Sequence, residues 1–181
     1  MNPGCLLIAE PSIVGDHNFH RSIIILVDYN ENGSFGFIIN KPLNYSINDI
    51  TDNIKYDFPL YYGGPVEQDN LFFIHKAGHL IPDSVLIEKD LYWGGNFERI
   101  IHLINKQKLK TKDIRFFLGY SGWSSMQLDD EIESKSWVLK NNPYSSKIFE
   151  KTPKLLWKEQ MEALGGNYLI WSNSPENPYE N

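Results

Sequence analysis

A single cysteine, Cys5, is the only thiol in this chain. One thiol cannot close an intramolecular disulfide or supply the cysteine set of a structural zinc site, and such sparing use fits a reducing compartment. Cationic excess is missing as well: 17 Lys and Arg stand against 23 Asp and Glu, for a formal net charge of -6. A general nucleic-acid binder needs a basic face to displace counterions from phosphates, so this balance argues against direct DNA binding. No apolar run approaches the roughly 18 residues a membrane-spanning helix requires. The N-terminal stretch Met-Asn-Pro-Gly-Cys-Leu-Leu-Ile-Ala-Glu has no basic n-region and reaches Glu10 too soon for a signal peptide. The expectation is a soluble cytoplasmic protein with no membrane partner.

Phosphate loops are absent too. Neither Gly63-Gly64-Pro65-Val66 nor Gly94-Gly95 continues into Gly-Lys-Ser/Thr, and no Gly-x-Gly-x-x-Gly occurs, so no nucleotide or other cofactor is expected. What is present is ordinary globular material. The 181 residues, 41% hydrophobic and 14% aromatic, suit one domain over 1–181 with a core of useful size. Pro175 and Pro178 mark residues 172–181 as an irregular tail.

The pattern reads as strands and helices intermixed. Cys5–Ala9 and Ser22–Val27 are apolar and β-rich enough to be strands buried on both faces. Asn32-Gly33 marks a hairpin turn into Phe35–Asn40, which Lys41-Pro42 ends. Ser46 followed by Ile47, Ile50 and Ile54 suggests a short helix. Leu60–Tyr62, Leu71–His75 and Ser84–Glu88 read as strands, and Phe97, Ile100, Ile101 and Ile104 as the buried stripe of a helix to about Lys108. Ile114–Leu118 is an apolar strand leading into a glycine-rich corner, Gly119-Tyr-Ser-Gly-Trp123, and then a helix over Met126–Ile132. Ser136–Leu139 adds a strand. Thr152-Pro153 opens a helix that Gly165-Gly166 closes. The fold class is α/β, with α+β as the alternative: a compact domain whose mixed, mostly antiparallel sheet or small barrel is flanked by helices.

Chemical signatures are weak one by one. Ser121 invites comparison with a nucleophile elbow, but that motif needs glycine where Trp123 stands. Asp16-His17 with His20 has donors for a metal, yet lies in a loop with loose spacing, so no metal is assigned. Asp129, Asp130, Glu131 and Glu133 suit a helix N-terminus. The lysines at 106, 108, 110 and 112, and at 147, 151, 154 and 158, read as solvated faces.

Together the motifs resemble one family. Leu6-Leu-Ile-Ala-x-Pro11, Asp16 with Phe19, Arg21 and Ser22, Gly36-Phe-Ile-Ile-Asn40-Lys-Pro42, Gly63-Gly-Pro-Val66, Leu118-Gly-Tyr-Ser-Gly-Trp123, Gln127-Leu128, Glu131-Ile132 and Trp137 occur in that order. With Phe149, Trp157, Leu164 and Gly165 they resemble the bacterial YqgE/AlgH family over about residues 4–165. Ser124-Ser125-Met126 departs from that family's looser pattern, which often has Gly or Pro before the Gln. The resemblance implies a compact α/β domain of a cytoplasmic bacterial protein, with no particular reaction attached. Members are often labelled transcriptional regulators through a link to alginate synthesis. It maps the polar motif onto Asp16, Arg21, Asn40, Gln127 and Glu131, with Gly64, Gly119, Gly122 and Trp123 shaping the neighbourhood.

The expectation is therefore a non-catalytic binding or regulatory module whose unidentified protein or small-molecule partner contacts the Asp16, Arg21, Asn40 and Trp123 region. Arg21 could pair with Asp16 or Glu131, or bind an anion. A hydrolase or transferase using Ser121 or the Asp16, His17 and His20 cluster is the catalytic alternative, and transcriptional regulation, direct or indirect, the third. Association of identical chains stays open.

Overall fold

β9 (Ile114–Ser124) is the axis of the molecule, because both halves of a ten-stranded sheet pair with it. The structure is a computed structural model that describes residues 1–11 and 16–174. In chain order the remaining elements are β1 (Leu6–Ala9), β2 (Ile23–Asn30), β3 (Gly33–Ile38), β4 (Pro42–Ser46), β5 (Pro59–Tyr62), β6 (Val66–His75), β7 (Val85–Glu88) and β8 (Leu91–Trp93). They continue with α1 (Phe97–Asn105), α2 (Gln127–Glu133), β10 (Trp137–Lys140), α3 (Pro153–Leu164) and α4 (Tyr168–Ser172).

The sheet runs β10-β1-β2-β3-β9-β6-β8-β7. These neighbours are antiparallel, while β5 lies parallel to β9, pairing Leu60 with Phe116, and antiparallel to β4. The mixed sheet matches the expectation, and it is open, not a barrel; the class is α+β. β1 and the first half of β2 are buried on both faces, as their continuous apolar runs require. One face, with Leu6, Ile8, Ile23, Ile25 and Phe37, is covered by Leu156, Trp157 and Met161 of α3. The other, with Leu7, Ala9, Ile24, Leu26 and Ile38, packs on Trp123, Leu128 and Trp137. A second core, under α1, gathers Leu60, Phe73, Ile100, Ile104 and Phe116.

Three expectations change. The helix anticipated after Ser46 is only a single 3-10 turn, Ile47–Asp49. Asp49 Oδ2 accepts from Ser46 N at 2.7 Å and caps the start of the turn, while Thr51 Oγ1 accepts from Asn53 N at 3.3 Å, capturing a backbone donor that a longer helix would use. Pro42, read as an ending, also begins edge strand β4, where a missing N–H costs no ladder bond. Most consequentially, the strand begun at Ile114 does not stop at Leu118. It runs on to Ser124, with Gly36 opposite Ser121 and Gly33 opposite Ser124. The turn to α2 comes later, at Met126, whose φ is 63. Of the expected tail, Ser172 ends α4, and residues 175–181 lie outside the described residues.

Candidate functional site

Gly119 does not bend a corner; with Gly64 it lets two segments of the chain touch. At Gly119 φ is +70, and a Cβ there would sit 2.5 Å from Gly64 O and 2.8 Å from Val66 O. At Gly64 φ is +150 and a Cβ would meet the Tyr120 carbonyl at 2.3 Å. The β5–β6 connection therefore crosses β9 at backbone contact, which only glycine permits. Ser121, beneath this crossing, is fully buried, and its Oγ donates to Gly63 O at 3.1 Å. A hydroxyl sealed in this way offers no nucleophile to a substrate.

The motif residues fall into two groups. The first surrounds Glu131. Its Oε2 accepts from Trp123 Nε1 at 2.8 Å and from Trp137 Nε1 at 2.7 Å, and its Oε1 accepts from Gln127 Nε2 at 2.9 Å. Gln127 Oε1 reaches back to Ser124 N at 3.0 Å. Both indoles are buried and meet edge to face, 6.0 Å apart. This carboxylate serves as the acceptor that lets two tryptophans be buried with their N–H groups satisfied. Gly122 is exposed on the strand beside it.

The second group lies where β2 begins and β3 ends. Asp16 Oδ1 accepts from the N–H of Asn18 at 2.9 Å and of Phe19 at 3.3 Å, closing the turn before Arg21. Arg21 has φ 52, an uncommon conformation for a residue with a Cβ. Asn40 holds it there, donating from Nδ2 to Arg21 O at 2.8 Å and accepting from Ile23 N at 2.7 Å. The Arg21 guanidinium lies 4.8 Å over the Trp157 ring, and its Nη2 donates to Ser174 O at 2.7 Å and Ser174 Oγ at 2.8 Å. Phe19, 5.3 Å edge-on from Trp137, is the packing link between the two groups.

Only the second group opens on a basic cleft. A concavity of about 420 Å³ is lined by His20, Arg21, Asn40, Lys41, Pro42, Asn44, Lys154, Trp157 and Lys158. Four cations border it, and among the described residues no carboxylate does. Lys41 Nζ donates to Asn18 O at 2.7 Å, and burial pulls its pKa down, with the charge of Asp16 opposing the shift. Lys158 has Glu162 at 3.9 Å, a residue outside the cleft lining. His20 Nε2 is buried with no partner among the described residues. Lys154 and Lys158, read from sequence as a solvated helix face, are thus two walls of this cleft. Nothing in their spacing could have placed Lys41 opposite them. Among the described residues no three His, Cys, Asp or Glu side chains gather as a metal set.

Two further groups escaped the sequence reading. Arg115 is buried, donating to Ile39 O at 2.7 Å and Phe149 O at 3.2 Å while stacking 4.3 Å over Tyr61. Burial pulls its pKa down, with Tyr61 opposing. An arginine inside a run buried on both faces was the available signal. His75, which ends the strand expected over Leu71–His75, is fully buried. Its Nδ1 accepts from Ala77 N at 3.2 Å, which leaves Nε2 to donate to Gly94 O at 3.0 Å. Burial lowers its pKa, the Gly94 bond opposing.

Comparison with known proteins agrees with this architecture. The AlgH-like family model, DUF179, matches residues 6–169. A UPF0301 protein of Cytophaga hutchinsonii is 40% identical over 180 residues, 98% of each chain. One from Bacteroides thetaiotaomicron is 41% identical, covering 97% of this chain and 89% of its own. Among solved structures, DIP2367 of Corynebacterium diphtheriae superposes with TM-score 0.77 at 20% identity, covering 96% of this chain and 93% of its own. The AlgH protein of Pseudomonas aeruginosa does so with TM-score 0.73 at 24% identity, covering 96% and 94%. At such identities the two structures speak for the fold alone. On the family match and its close relatives, this chain belongs to the AlgH-like, UPF0301 family.

Proposed function

We propose that this protein is a non-catalytic binding module whose ligand presents an anionic group to the cleft between the β2 entrance and α3. The observation that carries this reading is the concentration of Arg21, Lys41, Lys154 and Lys158 around one concavity in a chain of net charge -6. Cations lining a cleft focus the field and raise the local concentration of an oppositely charged ligand. Lys41, partly desolvated at the cleft wall, is a group that an arriving phosphate or carboxylate would satisfy. Asp16 and Asn40 act here as supports, fixing the turn and the strand ends that carry Arg21 and Lys41. A hydrolase at Ser121 draws no support from a hydroxyl buried against Gly63 O.

Calorimetric titration of the whole chain with inorganic phosphate, pyrophosphate and ribose 5-phosphate tests the proposal. At least one should bind, more weakly as salt rises from roughly 0.05 to 0.2 M, and not to the Lys41→Glu/Lys154→Glu variant. No heat from any of the three, or binding untouched by the double reversal, refutes it.

A further inference from the structure

A second cleft carries chemistry of the opposite sign. It is an open concavity of about 590 Å³, bordered by Gly122 and Trp123 and within the size range of small-molecule sites. Phe35, Phe72, Trp93 and Tyr120 wall it. Phe35 stands edge-on 5.0 Å from Trp93 and 6.0 Å from Tyr120, and Tyr120 is 5.6 Å from Phe72. All four rings are half-buried, each leaving part of its surface at solvent. Asp28 and Glu67 share the rim, and no Lys or Arg lines the cleft.

Irregular backbone puts both carboxylates there. Pairing of β2 with β3 slips between Leu26 and Asp28, and pairing of β6 with β9 slips between Val66 and Leu71. Such irregularities re-aim side chains and recur beside functional sites. Glu67 also adopts φ 50, a left-handed conformation that costs energy in a residue with a Cβ. Two separate departures from regular pairing thus converge on one aromatic cleft. Asp28 Oδ2 accepts from Asn30 Nδ2 at 2.9 Å and Glu67 Oε2 from Asn70 Nδ2 at 2.7 Å. Amide donors leave the negative charges uncompensated, and neither residue is in an ion pair among the described residues.

We propose that this cleft binds an organic cation of the alkylammonium or guanidinium class, its charge facing Asp28 and Glu67 and its apolar body lying against the rings. Aromatic faces attract such cations, and the carboxylates strengthen and orient the contact. An anion would be repelled, and a neutral aromatic would leave both carboxylates unused. A free amine and the lysine or arginine side chain of a peptide share this chemistry.

The whole chain is titrated by calorimetry with choline, arginine methyl ester, an alanine peptide carrying one central arginine, and 3,3-dimethylbutanol, the uncharged analogue of choline. At least one cationic probe should bind, and about tenfold more weakly to Asp28→Asn/Glu67→Gln. Choline or the ester binding assigns a free amine; the peptide alone binding assigns a partner's side chain. Dimethylbutanol binding as tightly as choline, unchanged affinity in the double variant, or no cationic probe binding at about 10 mM overturns the proposal. The single Glu67→Gln variant, at an exposed position, serves if the double variant melts early. The phosphate titration addresses other residues, so either proposal can fail alone.

Discussion

Removing the Glu131 carboxylate should destabilise the protein well beyond a typical change at a half-exposed position. Glu131→Ala deletes three hydrogen bonds, two of them from the indoles of Trp123 and Trp137. Those side chains are 6% and 4% exposed, so their N–H groups cannot turn to water. An orphaned buried donor costs about 1–3 kcal/mol, so two come to roughly 2–6 kcal/mol, to which the exposed Gln127 bond adds little. Alanine's better helix propensity in α2 returns only about 0.5 kcal/mol. For a chain of this length a loss of 1 kcal/mol lowers Tm by about 2–4 °C, so a net loss of roughly 1.5–5.5 kcal/mol lowers it by about 3–22 °C. Glu131→Gln keeps one acceptor oxygen and should lose about half as much, while Gln127→Ala, at an exposed site, should lose less than about 1 kcal/mol. Thermal unfolding followed by circular dichroism and tryptophan emission gives the ranking. A Glu131→Ala protein melting within about 1 °C of the parent would refute the network's structural role, and so would Gln127→Ala proving as costly.

Gly119→Ala places a methyl against two backbone carbonyls that have no room to yield, so the denaturant midpoint should correspond to a loss of about 3 kcal/mol or more; an unchanged midpoint contradicts the crossing. Arg115→Ala leaves Ile39 O and Phe149 O unpaired and opens a void, a loss of about 3–5 kcal/mol in urea unfolding. Arg115→Lys should recover only part of it, because an ammonium cannot reproduce the planar fork over Tyr61. His75 is held neutral by burial, so its folded pKa lies below the ordinary 6.5. Its contribution is complete above about pH 6.5 and is lost as pH falls through the folded value, because the unfolded chain binds the proton first. Tm should therefore drop more steeply between about pH 7 and pH 5 in the parent than in His75→Gln; parallel curves would refute the assignment.

Much of the scaffold was legible one segment at a time. The runs at Leu6–Ala9 and Ile23–Val27, the Asn32-Gly33 hairpin and the Thr152-Pro153 helix start are local signals, set by burial pattern, turn chemistry and backbone stereochemistry. The ordered motifs also sufficed for the family. Failures came where local preference met a distant partner. Gly119 and Gly122 read as a bend, and only the Gly64 carbonyl packed against Gly119 explains why the strand runs straight on to Ser124.

The sequence by itself determined the class of the protein: one domain's worth of apolar residues, an acidic balance, and a strand-rich order broken by a few capped helices. Only the tertiary structure decided what its polar residues do. Glu131 and Asn40 are spent on buried N–H and C=O groups, while Lys41 and Lys154, far apart in the chain, face one cleft. Periodicity reports which side of an element is buried, but charge clustering and hydrogen-bond satisfaction depend on which elements become neighbours, and that is settled by the assembled sheet.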